Sequence, residues 1–137
     1  MNVTSVLEEK DAIRELLACY CFHFDNGEFE RWLALFTEDA VFDLGTRGRF
    51  AGRDALRTFL TIIPLTDGLP GMRHCVMNSI VAVDGDRATA QSYVAVVQGG
   101  RTVGINVMGR YEDRLIKHNG AWRFAERKVH FDMMGQR

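Results

Sequence analysis

Asp25, His74, Tyr20 and Arg127 are the residues whose types and positions could support proton-transfer chemistry. Histidine gains and loses a proton near neutral pH, so it can act as base or acid when a carboxylate fixes its tautomer and stabilises the imidazolium. His74 shares the parity of Val76, Asn78 and Ile80 in an extended run, an apolar row in which a histidine is either a satisfied core group or a base. Asp25 follows the aromatic stretch Tyr20, Phe22, Phe24 and begins Asp-Asn-Gly. Such a tripeptide is a turn in which aspartate commonly bonds nearby backbone. Arg127 has the parity of Ala125, Val129 and Phe131. A guanidinium facing the interior needs a carboxylate, such as an acid from the helices, or a bound anion.

The elements that must position these groups follow from hydrophobic periodicity. Ser5, with Glu8 three residues on, forms a capping box. Leu7, Ile13, Leu16, Leu17, Tyr20 and Phe24 then recur at helical spacing up to the turn at 25–27. A second short helix carries Phe29, Trp32, Leu33 and Phe36, ending at Thr37-Glu38-Asp39. A strand over 40–44 leads through a Gly-rich turn to Arg49-Phe50. A third helix over 55–63 buries Leu56, Phe59, Leu60 and Ile63. Beyond the loop at 64–71 the period becomes two, giving strands over 72–83, 87–98, 103–116 and 121–131. Helices first and a meander of strands last define an α+β domain spanning 1–137.

The strands read as apolar on both faces, so one face should meet the helices and the other a partner subunit. At least a homodimer through the outer sheet face is therefore expected. Three helices cannot cover a sheet of this length. A cavity lined by the first helix, the third helix and the inner strand residues should remain. Trp32, Phe24, Phe59, Val76 and Asn78, with Arg127, are the expected substrate contacts there.

Composition narrows the function classes. A net charge of −1 leaves no electrostatic footprint for nucleic acid or anionic membrane. No apolar stretch reaches the ~20 residues of a membrane span, and the N-terminus does not read as a signal peptide. Cys19, Cys21 and Cys75 are odd in number, and the first two diverge on a helix. Free thiols and a cytoplasmic location are expected. The four histidines lack metal-ligand spacing, and no Gly-rich phosphate loop or nucleophile elbow occurs, so no metal and no cofactor is expected.

Six segments occur in a familiar order: 12–20, Phe24-Asp25-Asn26-Gly27, 32–42, 50–56, 73–78 and Gly120-Ala121-Trp122-Arg123-Phe124. Together they resemble a SnoaL-like domain of the nuclear transport factor 2-like superfamily. The resemblance implies a cone-shaped α+β barrel, with three N-terminal helices packed on a curved, mostly antiparallel sheet around a pocket for hydrophobic small molecules. Scytalone dehydratase, hexachlorocyclohexane dehydrochlorinase and bile acid 7α-dehydratase in this superfamily pair an aspartate ending the first helix with a histidine on the sheet. By that likeness Asp25 and His74 form the catalytic pair, Tyr20 joins them, and Arg127 matches a last-strand arginine. The implied activity is that of a cofactor-independent lyase, of dehydratase type, or an isomerase acting on a hydrophobic, cyclic molecule. The alternative is a non-catalytic small-molecule-binding or subunit-association module, including one like the β subunit of a ring-hydroxylating dioxygenase.

Overall fold

The computed structural model describes residues 2–135. Helix α1 runs from Val3 to Asp25 and buries Ile13, Leu16, Leu17, Tyr20, Cys21 and Phe24 along one face. It starts earlier than the capping box suggests. Asn2 is the cap, its side chain accepting from the Ser5 N–H at 2.8 Å. Leu7, expected on the buried face, stands about 120° around the helix from Ile13 and is 60% exposed. The helix stops at Asn26 and Gly27. Gly27 has φ +72°, and a Cβ there would sit 2.7 Å from the Gly68 carbonyl oxygen, so only glycine fits this close approach.

Helix α2 (Phe29–Leu33) is shorter than its apolar spacing suggests. Phe36 and Thr37-Glu38-Asp39 belong to strand β1 (Phe36–Asp43), because the chain there is captured by the last strand. A 3-10 turn (Gly45–Arg47) and β2 (Arg49–Ala51) lead into α3 (Arg53–Thr61). The long strands are β3 (Met72–Asp84), β4 (Arg87–Gln98), β5 (Gly104–His118) and β6 (Ala121–Met134). They form one six-stranded sheet in the order β2-β1-β6-β5-β4-β3. Every pairing is antiparallel except β1 with β6. The sheet is mixed and open, with β2 and β3 at its edges, so its hydrogen bonding does not close it into a barrel.

Two sequence-level expectations change here. In β4, residues 87–93 alternate cleanly, with Ala88, Ala90 and Ser92 buried while Thr89, Gln91 and Tyr93 are exposed. The outward residues of β5 in this region are Arg110, Glu112 and Arg114. The outer face is therefore largely polar along this stretch, not apolar throughout. In β3 the register shifts between Met77 and Ile80, and Asn78 adopts φ +57°. This irregularity swaps the parity: Ser79, Val81 and Val83 continue the inner row of His74 and Val76, while Asn78 and Ile80 turn outward.

The expected interior cavity is filled. Trp32, fully buried, packs 4.7 Å from Phe36 between ring centroids, and Phe36 lies 5.2 Å from Phe124. Phe59 of α3 closes on Phe42 at 5.1 Å. Aromatic side chains thus occupy the space that three helices leave over a long sheet. Phe36→Ala should lower unfolding free energy by about 3–5 kcal/mol, whereas exposed Leu7→Ala should stay within about 0.5 kcal/mol. Urea denaturation of the two variants checks the contrast.

Candidate active site

Asp25 is the last residue of α1, and its carboxylate crosses to β3 instead of bonding its own turn. β3 is an edge strand, so backbone groups on its outer side lack a ladder partner. The His74 backbone N–H is one of these, and it donates to Asp25 Oδ2 at 2.8 Å. The His74 ring Nδ1 lies 2.7 Å from Asp25 Oδ1. Both carboxylate oxygens are thus engaged by one residue. An ionised carboxylate only accepts, so Nδ1 carries a proton, and in the neutral ring the lone pair is then on Nε2. The side chains of His74 and Asp25 are 11% and 6% exposed. Two rings fix the imidazole plane: Phe24 edge-on at 5.2 Å and Tyr20 at 6.1 Å.

His74 lines a cavity of about 500 Å³. One wall is α1, through Arg14, Leu17, Ala18, Cys21 and Phe22; the other is residues 74–79 of β3. Consecutive residues of β3 line it because the cavity abuts the strand's free edge. It therefore lies beside the sheet, between α1 and β3, so the first helix lines it as expected and the third helix does not.

The structure separates the expected site residues into two groups. Asp25, His74, Tyr20 and Phe24 come together, and His74, Val76 and Asn78 line the cavity while Asp25, Tyr20 and Phe24 stand outside its lining. Trp32 and Phe59 lie behind them in the aromatic core, outside the lining. Arg127 is fully buried and bonds Asp113 through Nε (2.7 Å) and Nη2 (3.0 Å). Its partner comes from the neighbouring strand, directly opposite in register, and not from a helix. The guanidinium carbon stands 3.6 Å from the Tyr111 ring centroid, 4.3 Å from Tyr20 and 4.4 Å from Phe124. Burial opposes that charge, but Asp113 outweighs it and holds Arg127 above the ordinary arginine range. Burial also pushes the Tyr20 phenol up to about 12, so the hydroxyl keeps its proton across the neutral range.

Asp113 and Tyr111 escaped the sequence reading. A signal existed: the buried row of β5 is Val107, Gly109, Tyr111, Asp113 and Leu115, and an acid in such a row implies an internal cation. Arg14, Cys21 and Phe22 of the cavity wall also went unpredicted, since only the packing of α1 beside an edge strand brings them to the cavity.

An open mixed sheet with three helices in the N-terminal half of the chain, and an Asp–His pair joining the first helix to the edge strand, defines a pocket-bearing α+β class. Residues 5–128 match the SnoaL-like domain family, and the chain belongs to it. No curated protein matches the chain significantly. Among solved structures, a protein of unknown function from Mycobacterium tuberculosis is 31% identical. That match covers 98% of this chain and 78% of the other, with a TM-score of 0.85. A protein from Novosphingobium aromaticivorans, provisionally named a scytalone dehydratase, is 27% identical, covers 98% and 91%, and gives a TM-score of 0.84. The β subunit of a provisionally assigned aromatic-ring-hydroxylating dioxygenase from the same organism shares the fold at 20% identity. There the coverage is 98% and 94%, and the TM-score is 0.82. No helix among the described residues is long and apolar enough to cross a membrane.

Two outcomes test this geometry. Asp113→Ala should cost about 3–5 kcal/mol by stranding the buried guanidinium, whereas the double variant Asp113→Leu/Arg127→Met should recover much of the loss; chemical denaturation measures both. Burial pushes the Cys21 thiol up to about 12, while Cys75 is exposed. Iodoacetamide at pH 8 should therefore alkylate native Cys75 well before Cys21, as peptide mass spectrometry would show.

Proposed function

We propose that this protein is a cofactor-independent lyase of dehydratase type, or an isomerase, acting on a hydrophobic cyclic molecule by Asp25–His74 acid–base catalysis. The observation that carries this reading is the 2.7 Å contact from Asp25 to His74 Nδ1 beside a cavity that His74 lines. An aspartate serving only its turn would have faced Asn26 and Gly27. This one is spent on the ring of a histidine, leaving Nε2 as the base.

In the reaction, His74 removes a proton from a carbon α or vinylogous to an electron-withdrawing group. Asp25 stabilises the imidazolium that forms. In a dehydration the electron pair expels the hydroxyl group, which leaves as water with a proton from a nearby donor. In an isomerisation His74 returns the proton to another carbon. Tyr20, protonated and packed against His74, is the proposed donor to the leaving or developing oxyanion, which the substrate must bring past the imidazole because Tyr20 is buried outside the cavity lining. Val76 and Asn78 contact the substrate body. Phe24, Trp32 and Phe59 set the wall behind the imidazole, and Arg127 holds Tyr20 through its ring face. Proton transfer of this kind contributes about 10²–10⁴-fold, sufficient where the substrate carbon is already acidified. The relative provisionally named a scytalone dehydratase supports this reaction class by its likeness.

A second reading is subunit association. Ile105, Met133 and Met134 are 57%, 63% and 42% exposed where β5 begins and β6 ends. A homodimer, or a partner subunit as in the dioxygenase-type relative, would cover them. The free thiols fit a reducing compartment such as the cytoplasm.

His74→Ala and Asp25→Asn should each reduce turnover of a dehydration or isomerisation substrate by about 10²-fold or more with the circular dichroism spectrum preserved. Tyr20→Phe should lose less. Full activity in either of the first two variants would refute the mechanism. Analytical ultracentrifugation should find a dimer at micromolar concentration, and a monomer would remove the homodimer.

A further inference from the structure

The cavity carries a charge at the end remote from His74. Arg14, Ala18 and Phe22 follow one another at four-residue spacing, so they form a single stripe of α1 facing the edge of β3. Phe22 is 68% exposed, and Ala18 is exposed as well. Arg14 is the one permanently charged side chain of the lining, and it makes no ion pair among the described residues. Lys10, Asp11 and Glu15, its charged neighbours on α1, do not line the cavity. Besides His74, the remaining wall is Leu17, Cys21, Cys75, Val76 and Met77, with Asn78 and Ser79 as neutral polar groups.

We propose that Arg14 is a specificity-determining residue and that the ligand is an amphipathic anion, an apolar ring body bearing a carboxylate or similar oxyanion. The oxyanion pairs with the Arg14 guanidinium, whose planar fork suits two parallel N–H···O bonds. The ring body lies along Ala18, Phe22 and Val76 and brings its other end to His74. Arg14 and Asp25 are eleven residues apart on α1. That is about 16 Å along the helix axis, so a ligand touching both Arg14 and His74 is elongated, on the order of 10–15 Å. A 500 Å³ cavity accommodates such a molecule. This substrate class rests on the acid–base reading above, yet the anion preference can be measured without turnover.

The probes are 1-pyrenebutyrate and its neutral analogue 1-pyrenebutanol, titrated by fluorescence. The intact protein should bind the carboxylate at least about fivefold more tightly than the alcohol. Arg14→Gln should abolish that preference while leaving alcohol affinity unchanged. His74→Ala should retain it, so loss of the dyad mechanism and loss of the anion site give different results. Either bound probe should slow alkylation of Cys75, which lies on the cavity wall. Equal binding of both probes, absence of binding by either, a preference that survives Arg14→Gln, or unprotected Cys75 would each overturn the proposal.

Discussion

The two hydrogen bonds from His74 to the Asp25 carboxylate tie the helical part of the molecule to the free edge of its sheet. The edge strand β3 presents an N–H that no neighbouring strand can satisfy, and the end of α1 supplies the acceptor. Partly buried carboxylates are costly unless their oxygens are fully used, and here one residue occupies both. Structural and chemical requirements coincide in this contact. The backbone bond positions the strand, and the ring bond selects the tautomer. Helix α1 consequently stands alongside β3 with a slot between them instead of closing onto it along its whole length.

Behind the pair, the interior is solid. Trp32, Phe36, Phe42, Phe59 and Phe124 pack ring against ring, and Arg127 with Asp113 is embedded among Tyr20, Tyr111 and Phe124. A buried ion pair contributes little net stability, since desolvation offsets most of its attraction. Its effect is to fix the face of Tyr20 whose edge meets His74. The imidazole thus has a rigid backing on one side and an open cavity on the other.

Much of this was legible from residue order. Period-four apolar spacing located α1, the change to period two located the four long strands, and the ordered family segments joined Asp25 to His74. Three things were not legible, each for a physical reason. Parallel pairing of β1 with β6 joins residues far apart in the chain and leaves no local mark, so Phe36 read as helical. The irregularity at Asn78 reverses side-chain direction after one residue, so an unbroken parity count assigned Asn78 and Ile80 to the inner row. Aromatic volume also matters. A count of helices against strands predicts a cavity lined by the first and third helices, but five large rings fill the space beside α3 and the cavity lies at the sheet edge. Arg127 drew attention as an inward cation, while Asp113, its equal in burial, needed the β5–β6 register to be seen.

Asp25 holds His74 with a proton on Nδ1, so the lone pair of the neutral ring is on Nε2. Long-range ¹H–¹⁵N correlation of the histidine ring at pH 8, compared between the intact protein and Asp25→Asn, tests it most directly. The expected spectrum shows a single Nδ1–H tautomer for His74 whose downfield Nδ1 proton is lost in the variant. A His74 in the Nε2–H tautomer, or one unchanged by Asp25→Asn, would contradict it.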